Sequence, residues 1–141
     1  MAEPIRYERG EKEMIEQLPV AGGEVLGFRL SGIFTEEDFI GVLVPALDEA
    51  SQEHGIIRLI IEVMDFKDET LGAMIQDYRH KGQFPHIERE AIVGDENWDR
   101  WTGPFRDFFF LFPNTEVRFF GHDQRQQAWD WIFEGLPRRR V

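Results

Sequence analysis

The sequence predicts one α/β domain: a single mixed β-sheet of about five strands, the first pair antiparallel and the rest largely parallel, flanked by helices. Three observations carry this. Strand-like and helix-like runs alternate along the chain, and parallel strands need helix-length crossovers between them. The run "IIRLIIEVMDF" (56–66) is β-branched and apolar on both faces, as a central strand covered on both sides must be. The first two strand-like runs are separated by little more than the turn "AGG", which suits a hairpin. A chain of 141 residues with 42% hydrophobic residues suffices for one core of useful size.

Taken in order, residues 1–11 are charged and contain Pro4 and Gly10, and are expected to form a flexible extension; the domain is expected over 12–136. "EMIEQL" (13–18) reads as a short edge strand ending at Pro19. "EVLGFRLSG" (24–32) alternates, with Leu26, Phe28 and Leu30 on one face and Val25, Gly27 and Arg29 on the other, so it pairs antiparallel with its predecessor. Thr35 followed by Glu36, Glu37 and Asp38 is a helix start, with an N-cap hydroxyl and acidic residues at the positive end of the dipole. Pro45 removes an interior hydrogen bond, so a kink or two abutting helices is expected before His54 and Gly55. After the central strand, Leu71, Met74, Ile75 and Tyr78 fall on one stripe of a helix ending near Gly82. "REAIVGD" and "EVRFF" read as further strands. "DQRQQAWDWIFEG" reads as a final helix with Ala128, Trp129, Ile132 and Phe133 inward and Gly135 as its stop. Residues 137–141 form a basic tail.

Charge and composition exclude several function classes. The formal charge of −11, from 27 acidic against 16 basic residues, opposes nucleic acid and anionic membrane, whose binding needs clustered Lys and Arg. No run is long and apolar enough for a span, so stable membrane insertion is not expected and only transient contact is left open. The N-terminus carries charges where a signal peptide would need an apolar run, and the expectation is a cytoplasmic protein. Without cysteine there is no disulfide framework, thiolate nucleophile or thiolate zinc site. The four histidines sit at expected helix ends or loops among polar residues, so no catalytic residue, metal site or cofactor is assigned and an enzyme is not expected.

"MIEQLP", "GFRLSGIFTEEDF", "LVPALDEA", "IIRLIIEVMDF", "AIVGDENWDRW", "EVRFF" and "AWDWI" together resemble the SpoIIAA-like bacterial proteins of unknown function. These are related to STAS domains and similar in architecture to CRAL-TRIO lipid-binding domains. The resemblance covers roughly residues 13–134 and brings no reaction, cofactor or partner with it. It does direct attention to the turn after the central strand. STAS anti-sigma-factor antagonists carry a phosphorylatable serine there, and the comparable stretch here is Asp68-Glu69-Thr70-Leu71-Gly72, without the Ser-Ser-Gly portion. Asp68 and Thr70 are thus candidate regulatory residues, with capping of the following helix as their structural alternative.

The segment "ENWDRWTGPFRDFFFLFP" (96–113) concentrates the aromatic surplus of a chain with 13 Phe and 4 Trp. Read as helix, Trp101, Phe105, Phe108, Phe109 and Phe112 form one broad stripe, with Trp98 at its start. Such a stripe either completes the core, walls a site for an apolar ligand such as a fatty acid, with Arg100 and Arg106 able to hold an acidic head group, or docks a hydrophobic partner. Two functions are therefore expected in competition. One is a non-enzymatic domain binding a small apolar ligand at Trp98–Phe112; the other is a STAS-like regulator that meets a protein partner and is switched at Thr70. Neither ligand, partner nor oligomeric state is fixed by the sequence.

Overall fold

The computed structural model describes residues 5–9, 13–20, 23–33, 36–67, 85–94 and 112–136. Among the described residues six strands form one sheet in sequential order: β1 (Ile5–Arg9), β2 (Glu13–Leu18), β3 (Val25–Ile33), β4 (Ile56–Lys67), β5 (His86–Gly94) and β6 (Glu116–Gly121). β1 and β3 both pair antiparallel with β2. β3, β4, β5 and β6 run parallel.

Strand β1 corrects one expectation. Residues 5–9 are not loose extension but the edge of the sheet, with Arg6 opposite Glu16 and Tyr7 opposite Ile15 in the β1–β2 register. "IRYER" alternates Ile and Tyr with charged residues, a two-residue period that the density of charge conceals, and charge is what an exposed edge strand favours. β2 consequently lies second in the sheet rather than at its edge. The basic tail at 137–141 lies outside the described residues, as does the helix expected over 69–81.

Pro45 acts as expected, with a particular geometry. α1 (Glu36–Asp38) leads into a π-helical turn at Phe39–Leu43, and α2 (Val44–His54) starts with the proline in its first turn, where no N–H is missed. The helix stops at Gly55, which adopts φ +79° and donates its N–H to the Ser51 carbonyl at 2.8 Å.

Each face of the sheet has its own apolar cluster. On one face Leu43, Leu47 and Ala50 cover Leu26, Phe28, Leu30, Leu59, Ile61 and Val63. On the other, α3 (Arg125–Phe133) lays Ala128, Trp131 and Ile132 over Val25, Ile60, Ala91 and Val93. β4 is thus covered on both sides, and every residue from Ile57 to Val63 is buried.

Cations fasten the C-terminal end of α3, where free carbonyls concentrate the negative pole of the dipole. Arg58 donates from Nη1 to the carbonyls of Ile132 (3.0 Å) and Glu134 (2.6 Å), and Arg89 from Nη1 to that of Trp131 (2.8 Å). Arg89 and Arg118 also lie against the Trp131 ring, 5.1 and 4.7 Å from its centroid. With that end fixed, the first turns of α3 are held over the C-terminal halves of the parallel strands.

Candidate functional site

A carboxylate organises that end of the sheet. Glu62, in the middle of β4, stands on the α3 face, in register with Arg29 of β3 and Val93 of β5. Its side chain is only 6% exposed, and a buried carboxylate stays charged only where it is paired and hydrogen-bonded. Four donors supply this. Arg29 donates from Nε (3.2 Å) and Nη2 (3.1 Å) to Oε1; Arg125 Nε (2.7 Å) and Trp129 Nε1 (3.1 Å) donate to Oε2. Arg29 Nη1 lies 3.7 Å from Glu16, which continues the chain of charges to β2.

Glycine makes the indole contact possible. A Cβ at Gly27 would stand 3.0 Å from Trp129 Cη2 and 3.3 Å from both Ile60 Cγ2 and Leu18 Cβ. A side chain there would press the ring, Ile60 and Leu18 back by a few tenths of an ångström, so glycine eases the close approach of the ring to β3 that brings Nε1 to Glu62. Just beyond β6, His122 is 3.0 Å from the Val63 carbonyl through Nε2. Since a carbonyl only accepts, the proton of that bond sits on Nε2.

Arg29, Glu62, Met64, Val93, His122 and Arg125 line a pocket of about 390 Å³. It lies towards the C-terminal ends of the parallel strands, where open α/β sheets place their ligands. The lining combines two guanidinium groups, one carboxylate and one imidazole with the apolar side chains of Met64 and Val93. Both oxygens of Glu62 are occupied by donors, which leaves it a strut rather than a poised base. Among the described residues no group of three His, Cys, Asp or Glu side chains is placed to hold a metal ion, and no helix is long and apolar enough to cross a membrane.

A second buried carboxyl stands apart. Glu90 of β5 is flanked in register by Leu59 and Val117, on the opposite face from Glu62. It is 1% exposed, neither oxygen has a hydrogen-bond partner among the described residues, and burial pushes its carboxyl well above the usual carboxylate range.

A family model described as SpoIIAA-like matches residues 25–133, from the first residue of β3 to the last of α3. The chain belongs to the SpoIIAA-like family. A crystal structure of an uncharacterized protein of the DUF3478 family, with a SpoIIAA-like fold, from Shewanella loihica PV-4 is similar: TM-score 0.54 and 24% identity over 94% of this chain and 98% of that one. At that identity the likeness concerns the fold. No curated protein matches the sequence.

In this SpoIIAA-like domain, the sequence-predicted site residues fall mostly outside the described segments. Asp68, Thr70, Trp98, Arg100, Trp101, Phe105, Arg106, Phe108 and Phe109 all lie there. Phe112 is described, is 7% exposed, and belongs to the cluster containing Phe28, Ile87 and Ile92. Sequence reasoning missed the Glu62 cluster. Its signal was an acid set directly between Ile61 and Val63 in the most apolar run of the chain, a residue that cannot be buried there without cations to meet it.

Proposed function

We propose that this SpoIIAA-like domain is a non-enzymatic binding domain for a small apolar ligand, a fatty acid or similar amphiphile, at the C-terminal edge of its parallel strands. The observation that carries the reading is the pocket beside Glu62, in which apolar side chains and guanidinium groups meet in one concavity. Val93 lines it, and one residue later, at Gly94, the described chain gives way to the segment bearing Trp98, Arg100, Trp101, Phe105, Arg106, Phe108 and Phe109. The proposal makes that aromatic segment the remaining wall. Saturation of Glu62 by four donors supports binding over catalysis.

Titration of the full chain with octanoate, read by tryptophan fluorescence, tests the proposal. A saturable change, lost in Phe108→Asp/Phe109→Asp while the circular dichroism spectrum is retained, is the expected result. A flat titration of the wild-type protein refutes it.

A second reading, a STAS-like regulator that binds a protein partner and is switched at Thr70, draws on a different observation. β4 ends at Lys67, three residues before Thr70, on the strand that carries Glu62 and the half-exposed Met64. Intact-mass and peptide spectra of protein from its own host decide this reading. A phosphate on Thr70 favours it, and an unmodified Thr70 under all growth conditions counts against it.

A further inference from the structure

We infer that the pocket beside Glu62 is a head-group subsite that takes a carboxylate on the guanidinium of Arg125. The inference rests on the binding-domain reading above and names the chemistry that reading leaves open.

The three polar groups that line the pocket with Glu62 differ in what they have left to give. Arg29 commits Nε and Nη2 to Glu62, and its Nη1 is 3.7 Å from Glu16. His122 has its Nε2 on the Val63 carbonyl. Arg125 commits only Nε, at 2.7 Å to Glu62 Oε2, and its two Nη groups have no partner among the described residues. The Nε bond fixes the plane of the guanidinium without using its end-on fork, the edge that meets a carboxylate through two parallel N–H bonds. Glu62 thereby acts as a positioning residue that holds a cation in orientation before any ligand arrives, which lowers the ordering cost of binding.

The electrostatics select the ligand's charge. The lining has two guanidinium groups against one carboxylate, but Glu16 stands 3.7 Å from Arg29, so Arg29 is matched by carboxylates and Arg125 is the cation of the pocket with donors still to give. One free fork in an acidic protein suits a monoanion; a dianion gains no second fork and meets more of the overall repulsion. Met64, which is 46% exposed, and Val93 supply apolar surface beside the fork for the first carbons of a tail. A carboxylate with an apolar chain matches both halves of the pocket.

Octanoate and 1-octanol share a chain length and differ in the head group, so their affinities for the full-length protein separate the subsite from the apolar wall. In Arg125→Gln, octanoate binding should weaken about tenfold while octanol changes less than twofold. Arg125→Lys, which keeps the charge and loses the fork, should fall between the two. With a side chain 52% exposed, Arg125 can be replaced without breaking the fold, and the urea midpoint of each variant checks this. Equal loss of octanoate and octanol, or no loss of either, overturns the carboxylate subsite and leaves the apolar-binding reading standing. Failure of both probes to bind the wild-type protein overturns that reading and the subsite with it.

Discussion

Replacing Glu62 by alanine removes the acceptor that four hydrogen bonds share and leaves Arg29 facing a carboxylate-sized void. Breaking a buried pair by removing one partner costs about 3–5 kcal/mol, because the remaining charge is stranded. Arg29 is 28% exposed at its side chain, so part of its charge regains water, and the lower end, about 3 kcal/mol, is expected. Arg125 is 52% exposed and re-solvates freely, adding at most a few tenths of a kcal/mol. Urea unfolding is the assay. With a dependence of about 2 kcal/mol per molar, the midpoint should fall by about 1.5 M. A double-mutant cycle then apportions the loss. Coupling between Glu62 and Arg29 should exceed about 1 kcal/mol, and that between Glu62 and Arg125 should be smaller. A loss below about 1 kcal/mol for Glu62→Ala, or a larger coupling to the exposed Arg125, would refute the reasoning.

Glu90 supplies a pH prediction with a definite sign. Its folded-state pKa is raised by burial, so the folded protein holds that proton more tightly than the unfolded chain. This contribution to stability is fully present below the unfolded value of about 4.3 and is lost as pH rises, by at most about 1.4 kcal/mol per unit. Unfolding free energies from pH 4 to 8 should therefore decline for the wild type relative to Glu90→Gln, and a constant difference between the two would count against a protonated Glu90. Gly27→Ala should cost about 1–3 kcal/mol, because the added Cβ meets Trp129, Ile60 and Leu18 at 3.0–3.3 Å; the shift of the indole N–H resonance of Trp129 reports whether its bond to Glu62 is disturbed. Ile61→Ala, at a residue 1% exposed, should cost about 2–5 kcal/mol by leaving a cavity in β4, and an unchanged denaturation midpoint would contradict the burial of that strand.

How far the sequence reveals the fold depends on which physical signal a segment carries. β3, β4 and α3 are legible because hydrophobic periodicity and burial act together: "FRL" alternates, "IIRLII" is apolar on both faces, and "AWDWI" has helical spacing. β1 is not, because an edge strand needs little apolar area and its pairing comes from backbone hydrogen bonds that leave no compositional trace. The π-helical turn before Pro45 illustrates a middle case, in which the proline announces a break but not its form.

The Glu62 site was hidden for a different reason. Its members come from positions 29, 62, 64, 93, 122, 125 and 129; the parallel register aligns Arg29, Glu62 and Val93, and the packing of α3 and the turn before it brings the rest. Arg29 reads as an ordinary solvent-facing residue of an alternating strand, and Trp129 as one of several inward aromatics. Charge complementarity across the sheet is a tertiary fact, whereas an aromatic run such as Phe108–Phe110 is visible at once.

The most direct test of a ligand site at the strand ends is a ¹H–¹⁵N correlation spectrum of the full chain titrated with octanoate. Occupation of the pocket predicts that the Trp129 Nε1–H and Arg125 Nε–H signals, with the amides of Val93, Gly94 and His122, shift together along one saturating curve. Signals at these positions that stay fixed, while residues elsewhere move or none do, would contradict a ligand site beside Glu62.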